Sequence, residues 1–132
     1  MIKITDGDTL IAIILPADYH SDGIEFFTPN DFSQQLAYMK RPKGYEVPAH
    51  VHNKVSRQVS YTQETLFIRS GRVKLDLYSE KKEYLESIEL NTGDVILLSA
   101  GGHGLTMLEE TEIIEVKQGP YMGDEDKVVF KK

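Results

Sequence analysis

The residues best equipped for chemistry in this chain are three of its four histidines and one glutamate. His50 and His52 are separated by one residue. On a β-strand, residues i and i+2 share a face, so both imidazoles can turn toward one centre. Pro48, just ahead of them, suits the beginning of a strand. Glu64 opens the run Glu64-Thr65-Leu66-Phe67-Ile68 and shares parity with Leu66 and Ile68, the expected inward set. That places a carboxylate on an apolar face, where a cation offsets the cost of burying it. His103 lies in Ser99-Ala100-Gly101-Gly102-His103-Gly104, whose glycines let the backbone turn sharply and approach closely. Three imidazoles and one carboxylate form a borderline ligand set. It suits iron(II), manganese, nickel, copper or zinc better than magnesium or calcium.

Singly, each of these residues has an ordinary explanation. A His-x-His pair on a strand is commonly incidental, a glutamate at a strand end is usually solvated, and a histidine among glycines can belong to a plain loop. The joint arrangement is what points to a metal. His20 has no partner signal and reads as a surface residue. Further candidates for contact with a substrate are Lys54, Arg57 and Tyr61, which lie between His52 and Glu64. The planar guanidinium fork of Arg57 matches a carboxylate or phosphate. Tyr38 and Tyr121 are possible proton donors, with packing as the competing role.

These side chains require an all-β frame to carry them. Turn signals are spread evenly along the chain and the segments between them are short, a spacing that favours a sandwich or barrel. The clearest strand is Arg72 to Tyr78, where Val73, Leu75 and Leu77 face one way and Arg72, Lys74 and Asp76 the other. Ser79 to Lys82 turns into a strand over Tyr84–Leu90, and Asn91-Thr92-Gly93-Asp94 turns again. Val95 to Leu98 is continuously apolar and predicts a strand buried on both sides. A bend over Ala100–Gly104 then leads to strands at Leu105–Leu108 and Glu112–Lys117. Upstream, Thr9–Leu15, Ile24–Thr28 and Leu36–Lys40 read as strands. Val128–Phe130 reads as a final edge strand, and no helix longer than two turns is needed.

Composition narrows the classes of function. The 132 residues suit one domain. With no cysteine, disulfides, zinc-thiolate sites and thiol nucleophiles are excluded. A net charge of −6 argues against nucleic acid, which needs a basic face. The apolar run Leu10–Leu15 is too short to span a membrane, and without a basic front or small-residue cleavage site it is not expected to act as a signal peptide. The expected compartment is the cytoplasm. Left as an exposed edge, Leu10–Leu15 would also favour pairing with a second copy, so a homodimer is expected.

The order Gly44-x5-His50-x-His52, Glu64-x6-Gly71, then Gly93 and His103, resembles the two motifs of the cupin superfamily. The resemblance covers about Gly44 to Leu108. It implies a single antiparallel β-barrel or jelly roll over residues 1–132, with the motif-bearing barrel at about 36–117. It also implies a metal held by His50, His52, Glu64 and His103. Eleven residues separate His52 from Glu64, far more than the family's usual spacer, so Gln58, Gln63 or water could stand in for the glutamate. Ser99 stands where the family has a proline. The chain also resembles the small stand-alone cupins of bacterial surface-polysaccharide gene clusters, through Gly101-Gly102-His103-Gly104 and Lys117-Gln118-Gly119-Pro120-Tyr121.

The function these features imply is binding of a divalent transition metal (iron, manganese, nickel or zinc) by an enzyme. Its substrate would be a small carbohydrate or polar metabolite, converted by isomerase- or epimerase-like chemistry. A non-catalytic metal- or ligand-binding module and an iron(II) dioxygenase are the alternatives.

Overall fold

Every regular element other than one short 3-10 turn is a β-strand in the computed structural model, which describes residues 1–131. The strands are β1 (Ile2–Asp6), β2 (Thr9–Leu15), β3 (Gly23–Phe26), β4 (Ala37–Lys40), β5 (Glu64–Ser70), β6 (Arg72–Tyr78), β7 (Tyr84–Asn91), β8 (Val95–Leu98), β9 (Gly102–Met107) and β10 (Glu112–Lys117). They form a five-stranded sheet in the order β1-β2-β8-β5-β10, a three-stranded sheet β7-β6-β9, and a hairpin β3-β4. All pairings are antiparallel. The sheets are open, with free edges at β1 and β10, at β7 and β9, and on both sides of the hairpin. No helix among the described residues is long and apolar enough to cross a membrane.

Residue alternation decides which face meets which. In β6, Val73, Leu75 and Leu77 are fully buried, as their spacing predicts. They pack with Leu66 and Ile68 of β5, Ile96 and Leu98 of β8, Ile4 of β1 and Leu90 of β7 in the main core between the two larger sheets. A bulge in β2 opposite Ile4 and Thr5 adds one residue, so the neighbours Ile11 and Ala12 both reach this core. Asp76, on the other face of β6, is also buried. It accepts a hydrogen bond from Ser87 and lies 3.6 Å from the Lys74 ammonium.

The continuous apolar runs of β2 and β8 are explained by a second layer. Ile13 and Leu97 project from the opposite face and pack with Phe27, Leu36 and Tyr38 around the β3-β4 hairpin. Val95–Leu98 is thus a strand covered on both faces, as its composition predicts.

Several expectations are corrected. Leu10–Leu15 is not an exposed edge: β2 sits between β1 and β8, because β1, unmarked by any clear signal, pairs alongside it. The strand after the glycine-rich bend begins at Gly102 rather than Leu105, since β6 supplies partners from Tyr78↔Gly102 to Val73↔Met107. Val128–Phe130 forms no strand; Phe130 instead sets its ring edge-on to Tyr78, with centroids 5.0 Å apart. His50 and His52 lie in an irregular segment, residues 41–63, and not on a strand.

Candidate functional site

Glu64 is the first residue of β5, and its inward parity with Leu66 and Ile68 holds: all three are buried. Its cross-strand neighbours on the five-stranded sheet are Leu98 of β8 and Lys117 of β10. His103 stands on β9 opposite Leu77, a core residue of β6, so its side chain shares the inward face of the three-stranded sheet. The two residues therefore approach from opposite sheets. His103 Nε2 and Glu64 Oε1 are 2.6 Å apart, and the side chains are 33% and 11% exposed, which places the pair at the mouth of the sandwich rather than in its core.

The electrostatics of this mouth follow from the contact. The hydrogen bond from His103 holds the Glu64 carboxyl down at about 2, overcoming burial, which pushes it up. A further hydrogen bond from Glu115 and the charge of Lys117 act in the same lowering direction. Glu115 moves the other way: its hydrogen bond to Glu64, then burial and the neighbouring negative charge, raise it above the ordinary carboxylate range. A charged carboxylate, a protonatable partner carboxyl and an imidazole are thus gathered at one sandwich end. That trio can exchange a proton with a ligand.

The other two predicted ligands are placed elsewhere. The His50 and His52 rings meet edge to face with centroids 5.2 Å apart, and His50 Nδ1 lies 2.8 Å from the Pro48 carbonyl. Among the described residues, no group of three or more histidine, aspartate or glutamate side chains is arranged to hold a metal ion. In the isolated chain the four predicted ligands form two pairs, and the set does not fit a cation as it stands.

Arg57 and Tyr61 lie with Gln58 along a broad, open cleft of about 1630 Å³. The cleft is walled by residues of the irregular segment, by Pro29–Ser33 and by the chain following β10, and it does not include Glu64 or His103. Tyr61 donates to Glu80 at 3.2 Å. Gln63, the neighbour of Glu64, lines this cleft and is itself buried. Its side-chain oxygen accepts from the Gln34 backbone at 3.0 Å and from Ser33 Oγ at 3.2 Å. Gln63 and Glu64 are consecutive, so one serves the cleft and the other the sandwich mouth. Tyr38 is packing, edge-on to Tyr19, and Tyr121 is exposed.

The chain matches no protein-family model, no curated protein and no solved structure.

Sequence reasoning missed Glu115 and Lys117. Their alternation within Glu112–Lys117 marks the strand, but only the register Lys117↔Glu64 and Glu115↔Leu66 puts both beside the glutamate.

Proposed function

We propose that this chain is a cupin-like metal-binding protein whose fixed half-site is Glu64 with His103, and whose other half is His50 with His52. The observation that carries the reading is the contact between Glu64 and His103 across two sheets. A carboxylate and an imidazole at the rim of a sandwich, with donor atoms converging, are two ligands of the type iron, manganese, nickel and zinc prefer. The jelly-roll form of the fold belongs to the same proposal. The two facing sheets are the layers such a barrel needs, and the free edges of β9 and β10 are where further strands would close it.

Within this reading, the enzymatic version acts on a small carbohydrate or polar metabolite by isomerase- or epimerase-like chemistry. A substrate would enter at the sandwich mouth, where Glu64, Glu115 and His103 can take up and return protons. The non-catalytic version uses the same mouth only to bind. A cytoplasmic location is part of the proposal and rests on sequence character alone.

The test is metal titration of the purified chain with zinc(II) or manganese(II), followed by elemental analysis. Wild type should retain about one ion per chain, and Glu64→Gln, His103→Ala and the double variant His50→Ala/His52→Ala should each lose it. Equal metal content in all four proteins would remove the reading.

A further inference from the structure

The broad cleft walled by the irregular segment has a composition that neither the core nor the sandwich mouth accounts for. Its lining includes five side-chain amides and six hydroxyls, but only one base, Arg57, against five acids. An anionic ligand would meet repulsion there. At about 1630 Å³ the cleft exceeds the roughly 300–1,000 Å³ of a pocket that encloses a small molecule, and it is open to solvent. Those dimensions suit a chain-like ligand laid across it.

Parts of its wall are fixed within the chain itself. Gln35 donates from Nε2 to the Pro29 carbonyl at 2.9 Å and to the Phe32 carbonyl at 2.8 Å, while its Oε1 accepts from Thr28 Oγ1 at 2.8 Å. The 29–33 wall is clamped by these bonds. Tyr61 is tied to Glu80 through its hydroxyl, yet is 56% exposed, so its ring stays open at the cleft. Gln63 is the most telling residue, at only 4% exposed. An oxygen must face the Gln34 N–H, which fixes the orientation of the amide and sends Nε2 the other way. No described residue accepts from that nitrogen. Among the described residues, no fully buried polar side-chain atom lacks a partner, so Nε2 reaches the surface of the cleft that Gln63 lines. It is a donor held in place and open to an acceptor from outside.

We propose that this cleft binds an extended, uncharged oligosaccharide. Each sugar hydroxyl both donates and accepts, as do the amides and hydroxyls of the lining, and the carboxylates can accept from paired hydroxyls without a cation. The Tyr61 ring offers an apolar surface to the C–H face of a pyranose. A peptide fits less well. Extended peptides are recognised largely by adding to a free strand edge. The strand at this cleft has its backbone committed: Thr9 and Leu10 of β2 pair with β1, and the Leu10 carbonyl accepts from Ser99 Oγ at 2.7 Å. A polycation would satisfy the acids but set its own donors against Arg57 and Gln63 Nε2. Glu64 and His103 do not line the cleft, so the proposal stands apart from the metal reading.

The experiment is isothermal titration calorimetry on the full chain in EDTA, so that metal plays no part. The probes are maltohexaose, cellohexaose, laminarihexaose and mannohexaose. Hexagalacturonate, spermine and a glycine-serine peptide serve as anionic, cationic and backbone-only controls. At least one neutral hexasaccharide should bind at millimolar concentration or below, its monosaccharide should bind about tenfold more weakly or worse, and the controls should not bind. Tyr61→Ala, at an exposed site, should weaken that binding about tenfold. Gln63→Glu keeps an oxygen toward Gln34 and Ser33 but replaces the outward donor with an acceptor, and should weaken it by a similar factor. Thermal melting checks that both variants fold; if Gln63→Glu does not, Tyr61→Ala decides. No binding by any of the four hexasaccharides, tighter binding of a control, or hexasaccharide binding that Tyr61→Ala leaves unchanged overturns the proposal.

Discussion

Glu64 on β5 and His103 on β9 belong to different sheets, and their side chains meet at 2.6 Å. The bond is both a tie between the two layers and the chemical centre of the sandwich mouth. The first test of it is acid stability.

The Glu64 carboxyl sits at about 2 in the folded chain, against an ordinary value of 4.5. A depressed folded value means the ionised group stabilises the fold above the unfolded value, and that contribution drains away as pH falls from about 4.5 to about 2. Glu64→Gln should therefore cost about 2 kcal/mol at neutral pH, the range for a charge-assisted hydrogen bond. The difference from wild type should shrink on acidification through that window. Urea unfolding at pH 7, 4 and 2.5 measures it; parallel curves at all three would refute the assignment.

Its neighbour Glu115 should behave oppositely. A carboxyl held above its ordinary range opposes folding once it ionises, because the folded state prefers it protonated. Glu115→Gln keeps a donor toward Glu64 and removes that penalty. Stability at pH 7 should rise by about 0.5 kcal/mol, a small gain because the site is largely solvated. A loss of stability in the same urea assay would contradict the arrangement.

Gly71 joins β5 to β6 with a φ of +98°. A Cβ there would lie 2.6 Å from the Glu110 carbonyl oxygen and against Thr111 Oγ1. Gly71→Ala combines left-handed strain with a backbone collision, and should cost about 3 kcal/mol or more. Thermal unfolding followed by circular dichroism gives the number, and a change within 0.5 °C of wild type would be incompatible with this turn.

Asp94 closes the turn after β7. Its carboxylate accepts from the Asn91 N–H at 2.7 Å and from the Ala17 N–H at 2.9 Å, which ties the β7–β8 turn to the end of β2. Asp94→Ala leaves both donors without that partner and should cost about 1–3 kcal/mol, while Asp94→Asn should retain a good part of it. Chemical denaturation of the two variants side by side distinguishes this role from simple surface charge.

How far the sequence discloses this molecule depends on the range of the interaction involved. The alternation of Val73, Leu75 and Leu77 and the solid apolar run of Val95–Leu98 are local signals, and both predict what the sheets do with them. Glu64's inward parity is equally local. The nearness of Glu64 to His103 is expected from motif order, but the part played by Glu115 and Lys117 needs the β5–β10 register, which no single segment encodes. β1 escapes notice because Ile2–Asp6 has only one residue, Ile4, in the core. The strand pattern around His50 is plain in the sequence and unpaired in the isolated chain, because strand formation needs a neighbour as well as a pattern.

The two-sided burial of β2 and β8 has a mechanical consequence. Ile13 and Leu97 face the hairpin layer while Ile14, Ile96 and Leu98 face the main core, all from the same two strands. Neither layer can peel away without baring the backbone ladder that the other rests on, so the hairpin and the sandwich should melt together as a single cooperative unit.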